Sequence, residues 1–147
     1  MGRCEFPQLR FIGRMKAIAI SMLAVCSLHA GESVADFRWK KRLLVVTQAD
    51  EALGKQLAEA KPGLVERDVV VFVLRGPIAP PAQRPGETMT LSLRESLKLE
   101  SEPDGTILLL GKDGRTTVRW KRETFSIQAL FATIDAMPMR RREMNGK

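Results

Sequence analysis

The chain has 147 residues, a net charge of +7 and 44% hydrophobic residues. That length holds one ordinary domain and no second sizeable one, and the apolar fraction excludes wholesale disorder. Two Cys, one His and no Tyr leave few groups for nucleophilic, redox or metal chemistry.

Residues 1–30 read as a secretory signal peptide. Arg3, Arg10, Arg14 and Lys16 precede an apolar run of 12 residues over 17–28, and Ala30 and Gly31 follow. That is the charged, apolar, small-residue order of a cleaved leader. The run falls short of the ~20 residues that a spanning helix needs. Met15 is a second possible start, giving a compact leader from Met15 to Ala30. An uncleaved anchor and a chain lipidated at Cys26 compete with cleavage; Val25 is large for the position before a lipidated Cys.

Cleavage after Ala30 leaves residues 31–147 as a single domain, with a core expected over about 36–144. Lys and Arg then outnumber Asp and Glu by 20 to 16, a net +4. Cys4, Cys26 and His29 all leave with the leader. The remaining domain has no thiol, imidazole or phenol. It lacks the usual donors for zinc, iron–sulfur and haem, and the usual Ser-His-Asp and Cys-His nucleophilic sets. No metal, cofactor or catalytic residue is expected. The product is expected to be exported, periplasmic or extracellular, with no transmembrane segment after cleavage.

Residues 31–36 form a short polar leader. Leu43, Leu44, Val45 and Val46 make a continuous apolar run, the mark of a strand buried on both faces. Ala49, Leu53, Leu57 and Ala60 recur at helical spacing, with Thr47 or Asp50 as cap and Pro62-Gly63 as stop. Residues 69–74 are a second apolar strand. Pro77, Pro80, Pro81 and Pro85 mark a long loop over 76–90. Ser92 and Glu95 form a capping box for a short helix from about 93 to 99. Residues 107–110 are a third buried strand, and Gly111-Lys112-Asp113-Gly114 is a hairpin turn. Thr116, Val118 and Trp120 alternate with polar residues, as in a half-exposed edge strand. Ser126 caps a helix that buries Ile127, Leu130, Phe131, Ile134 and Met137, and Pro138 ends it.

The order is β-α-β-α-β-β-α. Strands joined by helical crossovers are expected to be parallel and the final hairpin antiparallel. The result is an α/β fold, a four-stranded mixed sheet with helices on both faces.

That order resembles the minimal thioredoxin fold. The run from Gly105 to Gly114 (GTILLLGKDG) is similar to the third strand and turn of thioredoxins. The sequence also resembles the thioredoxin-like family catalogued as domain of unknown function 4174. The matching segments are Trp39 to Val45, Glu66 to Val69, Leu110 to Gly114 and Ile134 to Arg140. The family implies export and a thioredoxin-like fold, and no established reaction. Active thioredoxins carry paired cysteines at the start of the first helix, where the helix N-terminus lowers a thiol pKa. This sequence reads Thr47-Gln48-Ala49-Asp50 there. Thr47 fits the Thr that peroxiredoxins place three residues before their reactive Cys, and Asp50 stands where the sulfur would be. The cis-proline before the third strand would fall near Gly105; Pro103 is two residues early. A thiol–disulfide oxidoreductase is therefore excluded for the trimmed domain.

Two candidate sites emerge. Thr47, Gln48 and Asp50 lie at the sheet's C-terminal edge, where α/β folds bind ligands; the competing explanation is helix capping. Arg38, Lys40, Lys41 and Arg42 precede the first strand, and Arg140, Arg141 and Arg142 follow the last helix. Topology places both groups at the opposite pole, a candidate patch for an anionic envelope surface or protein. Helix-dipole complementation and a solvated sheet entry are the competing explanations for these cations. Export and scarce aromatic platforms argue against nucleic acid. Trp39 and Trp120 are expected to cover core edges, and Asp135 to pair with Arg140 and Arg141. These features point to a non-catalytic binding module of unknown partner. Two further functions compete with it: a hydrolase- or transferase-type enzyme using the Thr/Gln/Asp pocket, and a structural part of an envelope assembly.

Overall fold

The computed structural model describes residues 32–146. The expected leader, with Cys4, Cys26 and His29, lies outside the described residues. Strand β1 (Arg42–Gln48) leads to helices α1 (Glu51–Glu59) and α2 (Lys61–Glu66), then β2 (Val69–Arg75). Helix α3 (Glu87–Leu97), the hairpin of β3 (Thr106–Leu110) and β4 (Thr116–Lys121), α4 (Ile127–Ala136) and α5 (Pro138–Asn145) follow. Short 3-10 turns occupy Val34–Phe37, Leu99–Ser101 and Arg122–Thr124.

The sheet order is β2-β1-β3-β4. β1 and β2 run parallel, with Leu44 opposite Val71. β3 is antiparallel to β1, and β4 to β3. This is the thioredoxin topology. The parallel expectation for helical crossovers holds for β1–α1–α2–β2 and fails for β2–α3–β3. After β2 the chain doubles back, and Gln83 pairs beside Phe72. It then enters and leaves the α3 region at the same sheet edge, since Arg84, Pro85, Glu102 and Asp104 line one cavity there. β3 must therefore start beside the C-terminal end of β1.

The central strands are buried on both faces, which explains their unbroken apolar runs. Leu44, Val46, Ile107 and Leu109 pack with Leu53, Leu57, Leu64, Leu130 and Ile134 from α1, α2 and α4. Leu43, Val45, Leu108 and Leu110 pack on the other side with Met89, Leu93 and Leu97 of α3 and Val34. Residues 34–37 are thus not a free leader; Val34 is buried and its N–H donates to Ser92 Oγ at 3.1 Å.

Three helix boundaries differ from the sequence reading. Helix α1 ends at Glu59, ahead of Pro62-Gly63, but Pro62 also opens α2, because proline fits a first helical turn. An added Cβ at Gly63 would lie 2.6 Å from the Phe131 ring, which would have to shift. Helix α3 starts at Glu87, so Ser92 sits inside it and spends its hydroxyl on Val34 instead of a cap. Pro138 ends α4 and also starts α5, a helix absent from the sequence reading. The cis peptide bond among the described residues is Pro80–Pro81; Gly105 takes a positive φ of 80°.

Candidate functional site

The first strand delivers its C-terminal residues to the start of α1. Thr47 is buried in the sheet, and its Oγ1 donates to the Thr106 carbonyl at 3.0 Å. It is a strand residue tied to β3, not a helix cap. Gln48 is exposed. Asp50 is the cap of α1: its carboxylate accepts the Leu53 N–H at 2.6 Å. Arg122, just after β4, donates from Nε at 3.0 Å and Nη2 at 3.1 Å to the same carboxylate. The Arg122 bond and then the Leu53 N–H hold the Asp50 carboxyl below the usual range.

These three residues do not form one pocket. Thr47 borders a cavity of about 480 Å³ with Arg75, Arg84, Glu102 and Asp104. Asp50 borders a separate, largely apolar depression of about 280 Å³ with Gly54, Ala58, Pro77 and Ile78. Gln48 lines neither. The charges in the larger cavity are mostly engaged with protein. Arg75 pairs with Asp104, and Glu102 with Arg119 at 3.3 Å. Arg84 donates to the carbonyls of Val73 at 3.0 Å and Gly76 at 2.8 Å.

At the opposite pole the structure brings the two basic groups together, as expected, and divides them. Arg42 is wholly buried rather than solvated. Its guanidinium donates to the Arg67 carbonyl at 2.8 Å and meets Glu143 of α5 at 3.3 Å. Arg140 is also buried, donating to Glu66 at 2.6 Å. Lys41 pairs with Asp68 at 2.9 Å. The anion patch therefore loses these three cations. Arg42 and Arg140 are desolvated charges that need partners, and Lys41 is neutralised at the surface. Lys112 bridges Asp68 at 3.0 Å and Glu143 at 2.6 Å. Burial alone would raise the Asp68 and Glu143 pKa values; their bonds to Lys41, Lys112 and Arg42 outweigh it and lower both. Asp135 pairs with Arg67 at 2.7 Å and Arg140 at 3.4 Å, not with Arg141.

Arg38, Lys40, Arg141 and Arg142 lie outside this buried network and form no ion pair among the described residues. Trp120 is half-buried edge-to-face on Phe125 at 5.6 Å, as expected. Trp39 is not at a core edge: it is 68% exposed, with a left-handed φ of 65°. One local signal of this pole is present in the sequence. Pro138 at a helix start, with Arg140 and Glu143 three apart, spells a short helix facing the sheet's entry.

Among the described residues no cluster of His, Cys, Asp and Glu could hold a metal ion, and no helix is long and apolar enough to cross a membrane.

Topology and site together define a thioredoxin-fold domain with an ion-paired aspartate at the start of its first helix. The chain belongs to the family described as Domain of unknown function (DUF4174), which it matches over residues 33–143. No curated protein matches it. Among solved structures it is similar to Trgpx in apo form, at 19% identity and a TM-score of 0.48, covering 68% of this chain and 81% of that one. It is also similar to the reduced 2-Cys peroxiredoxin of Plasmodium vivax, at 13% identity and a TM-score of 0.48, covering 76% and 72%. The mitochondrial 2-Cys peroxiredoxin of Plasmodium falciparum follows at 11% identity and a TM-score of 0.45, covering 77% and 83%.

Proposed function

We propose that this protein is an exported thioredoxin-fold domain that acts by binding and not by redox catalysis. The observation that carries the reading is Asp50. A helix N-terminus that would activate a thiol instead holds a carboxylate bonded to Leu53 and Arg122. A carboxylate engaged this way is neither a sulfur nucleophile nor a free base. The leader's order of charged, apolar and small residues supports export. Its removal takes Cys4, Cys26 and His29 with it.

A hydrolytic or transferase reading finds less support. The Thr47 hydroxyl spends its proton on a backbone carbonyl, and the chain's one imidazole lies in the leader. The exposed cations of the opposite pole are the better-motivated contact surface.

The four strands and both apolar layers of the described residues lie within 32–146, which supports the span 31–147 as the folding unit to test. Its rates of dithiol-driven disulfide reduction and peroxide consumption are the test. Rates equal to the protein-free reaction are expected. Turnover that Asp50→Ala abolishes while the fold persists would overturn the binding reading.

A further inference from the structure

We propose that the pole built from the β1 entry, the β3–β4 turn and α5 docks on an anionic lipid membrane surface, with Trp39 as its interfacial anchor. The proposal rests on the binding reading and names its partner. It starts from an uneven distribution of exposed apolar side chains. Among the described residues the large exposed ones are Trp39, Val65, Ile78, Leu91 and Met144. Three of them share this pole.

Trp39, Val65 and Met144 are tied to one another through Lys112. The Trp39 N–H donates to the Lys112 carbonyl at 2.6 Å. The Lys112 ammonium grips Glu143, the residue before Met144, at 2.6 Å. It also grips Asp68 at 3.0 Å, and the Asp68 N–H returns to the Val65 carbonyl at 3.1 Å. These bonds connect the three segments that carry the exposed apolar side chains at this pole.

Around them stand cations that form no ion pair among the described residues: Arg38, Lys40, Arg141 and Arg142. Arg38 lies across Gly114 of the turn, close enough that an added Cβ there would sit 2.8 Å from its Nε. Two carboxylates, Asp36 beside Lys40 and Asp113 in the turn, stand nearby and offset only part of this charge. Asp36 accepts from Ser33 N–H at 2.7 Å, and Asp113 from Arg115 N–H at 3.1 Å.

Separate apolar projections ringed by Lys and Arg, with a tryptophan among them, match the boundary between headgroups and acyl chains. Trp39 holds a backbone conformation that bulky side chains rarely adopt, which fixes where its ring leaves the surface. The cavities at the far edge and beside α1 and α4 use none of these residues. Separate projections within a cationic surface suit a deformable lipid interface.

The test is co-sedimentation of span 31–147 with vesicles of phosphatidylcholine alone, and of phosphatidylcholine with phosphatidylglycerol in equal parts. Binding to the anionic vesicles that weakens with salt is expected, with little to the neutral ones. Arg141→Ala with Arg142→Ala should weaken it about 25-fold, near five-fold per cation. Trp39→Gly removes the ring and suits the left-handed backbone, so the variant folds; it should weaken binding roughly ten-fold. In the parent, Trp39 emission should shift to the blue on binding, while half-buried Trp120 changes little. Unaltered binding by both variants, equal binding to neutral vesicles, or binding to heparin without binding to vesicles would each overturn the lipid assignment. Those results leave the disulfide and peroxide rates untouched, so failure here is distinct from failure of the non-redox reading.

Discussion

Arg122 and Asp50 meet across the start of α1 in a two-pronged contact, Nε and Nη2 each donating to the carboxylate at 3.0 and 3.1 Å. One residue follows β4 and the other follows β1, so the pair ties the edge strand to the first helix. It also occupies the place where this topology can activate a nucleophile. The Asp50 side chain is 54% exposed, so its value to stability is that of a helix cap and not of a buried ion pair.

Asp50→Ala should lower stability by about 1 kcal/mol at neutral pH. The folded pKa of Asp50 lies below its ordinary value, so this contribution is present above the unfolded pKa. It disappears as pH falls through the folded one. Denaturant unfolding of parent and variant from neutral to acid pH checks it; the two midpoints should converge only in acid.

Asp50→Cys should restore a reactive thiol without restoring a reaction. The free N-terminal amides of α1 and the Arg122 guanidinium both favour the thiolate. Its pKa should fall below the ordinary value of about 8.5. The pH dependence of iodoacetamide labelling on span 31–147 measures it. Arg122→Ala in the same background should move the pKa back up.

Glu143 holds α5 to the sheet through Arg42 and Lys112, whose side chains are 1% and 9% exposed. Glu143→Ala removes one partner from each of two desolvated cations, leaving Lys112 with Asp68 and Arg42 with the Arg67 carbonyl, and should cost about 1–3 kcal/mol. Burial works to raise the Glu143 pKa, and the Lys112 and Arg42 bonds lower it on balance. The stabilisation is therefore complete above the unfolded carboxylate pKa and is lost as acid protonates the folded form. Thermal unfolding across the same pH range should show the variant's deficit closing in acid.

Lys98 ends α3 with a left-handed φ of 52°. Glycine adopts that conformation without a Cβ penalty, so Lys98→Gly should stabilise by about 0.5–1 kcal/mol. Urea unfolding at neutral pH gives the sign directly.

The legible parts of this fold are those that local pattern determines. Leu43 to Val46 and Ile107 to Leu110 announce strands buried on two faces, and the Ser126 cap announces α4. The alternation of Val118 and Trp120 with Arg119 and Lys121 marks the edge. Proline is the least legible residue here, because Pro62 and Pro138 both end one helix and begin another. The crossover rule fails after β2 for a tertiary reason: the chain enters and leaves the α3 region at one sheet edge, where Arg84 and Asp104 line the same cavity.

The site is half legible. Spacing places Asp50 at the helix start, but nothing local pairs it with Arg122, 72 residues away. Similarly, Arg42 reads as a surface cation beside Lys40 and Lys41. Only the position of Glu143, 101 residues later, makes its burial tolerable. Trp39 departs from its expected place for a related reason. A left-handed backbone turns its ring outward, and no feature of Arg38-Trp39-Lys40 forces that conformation.

The measurement that bears most directly on the claim of a redox fold without its reactive atoms is the intact mass of the protein recovered from its own cells, taken before and after denatured thiol alkylation. A polypeptide that begins near Gly31 and takes up no alkyl group is expected. A functional, unlipidated chain that retains Cys26 and alkylates stoichiometrically would contradict the claim.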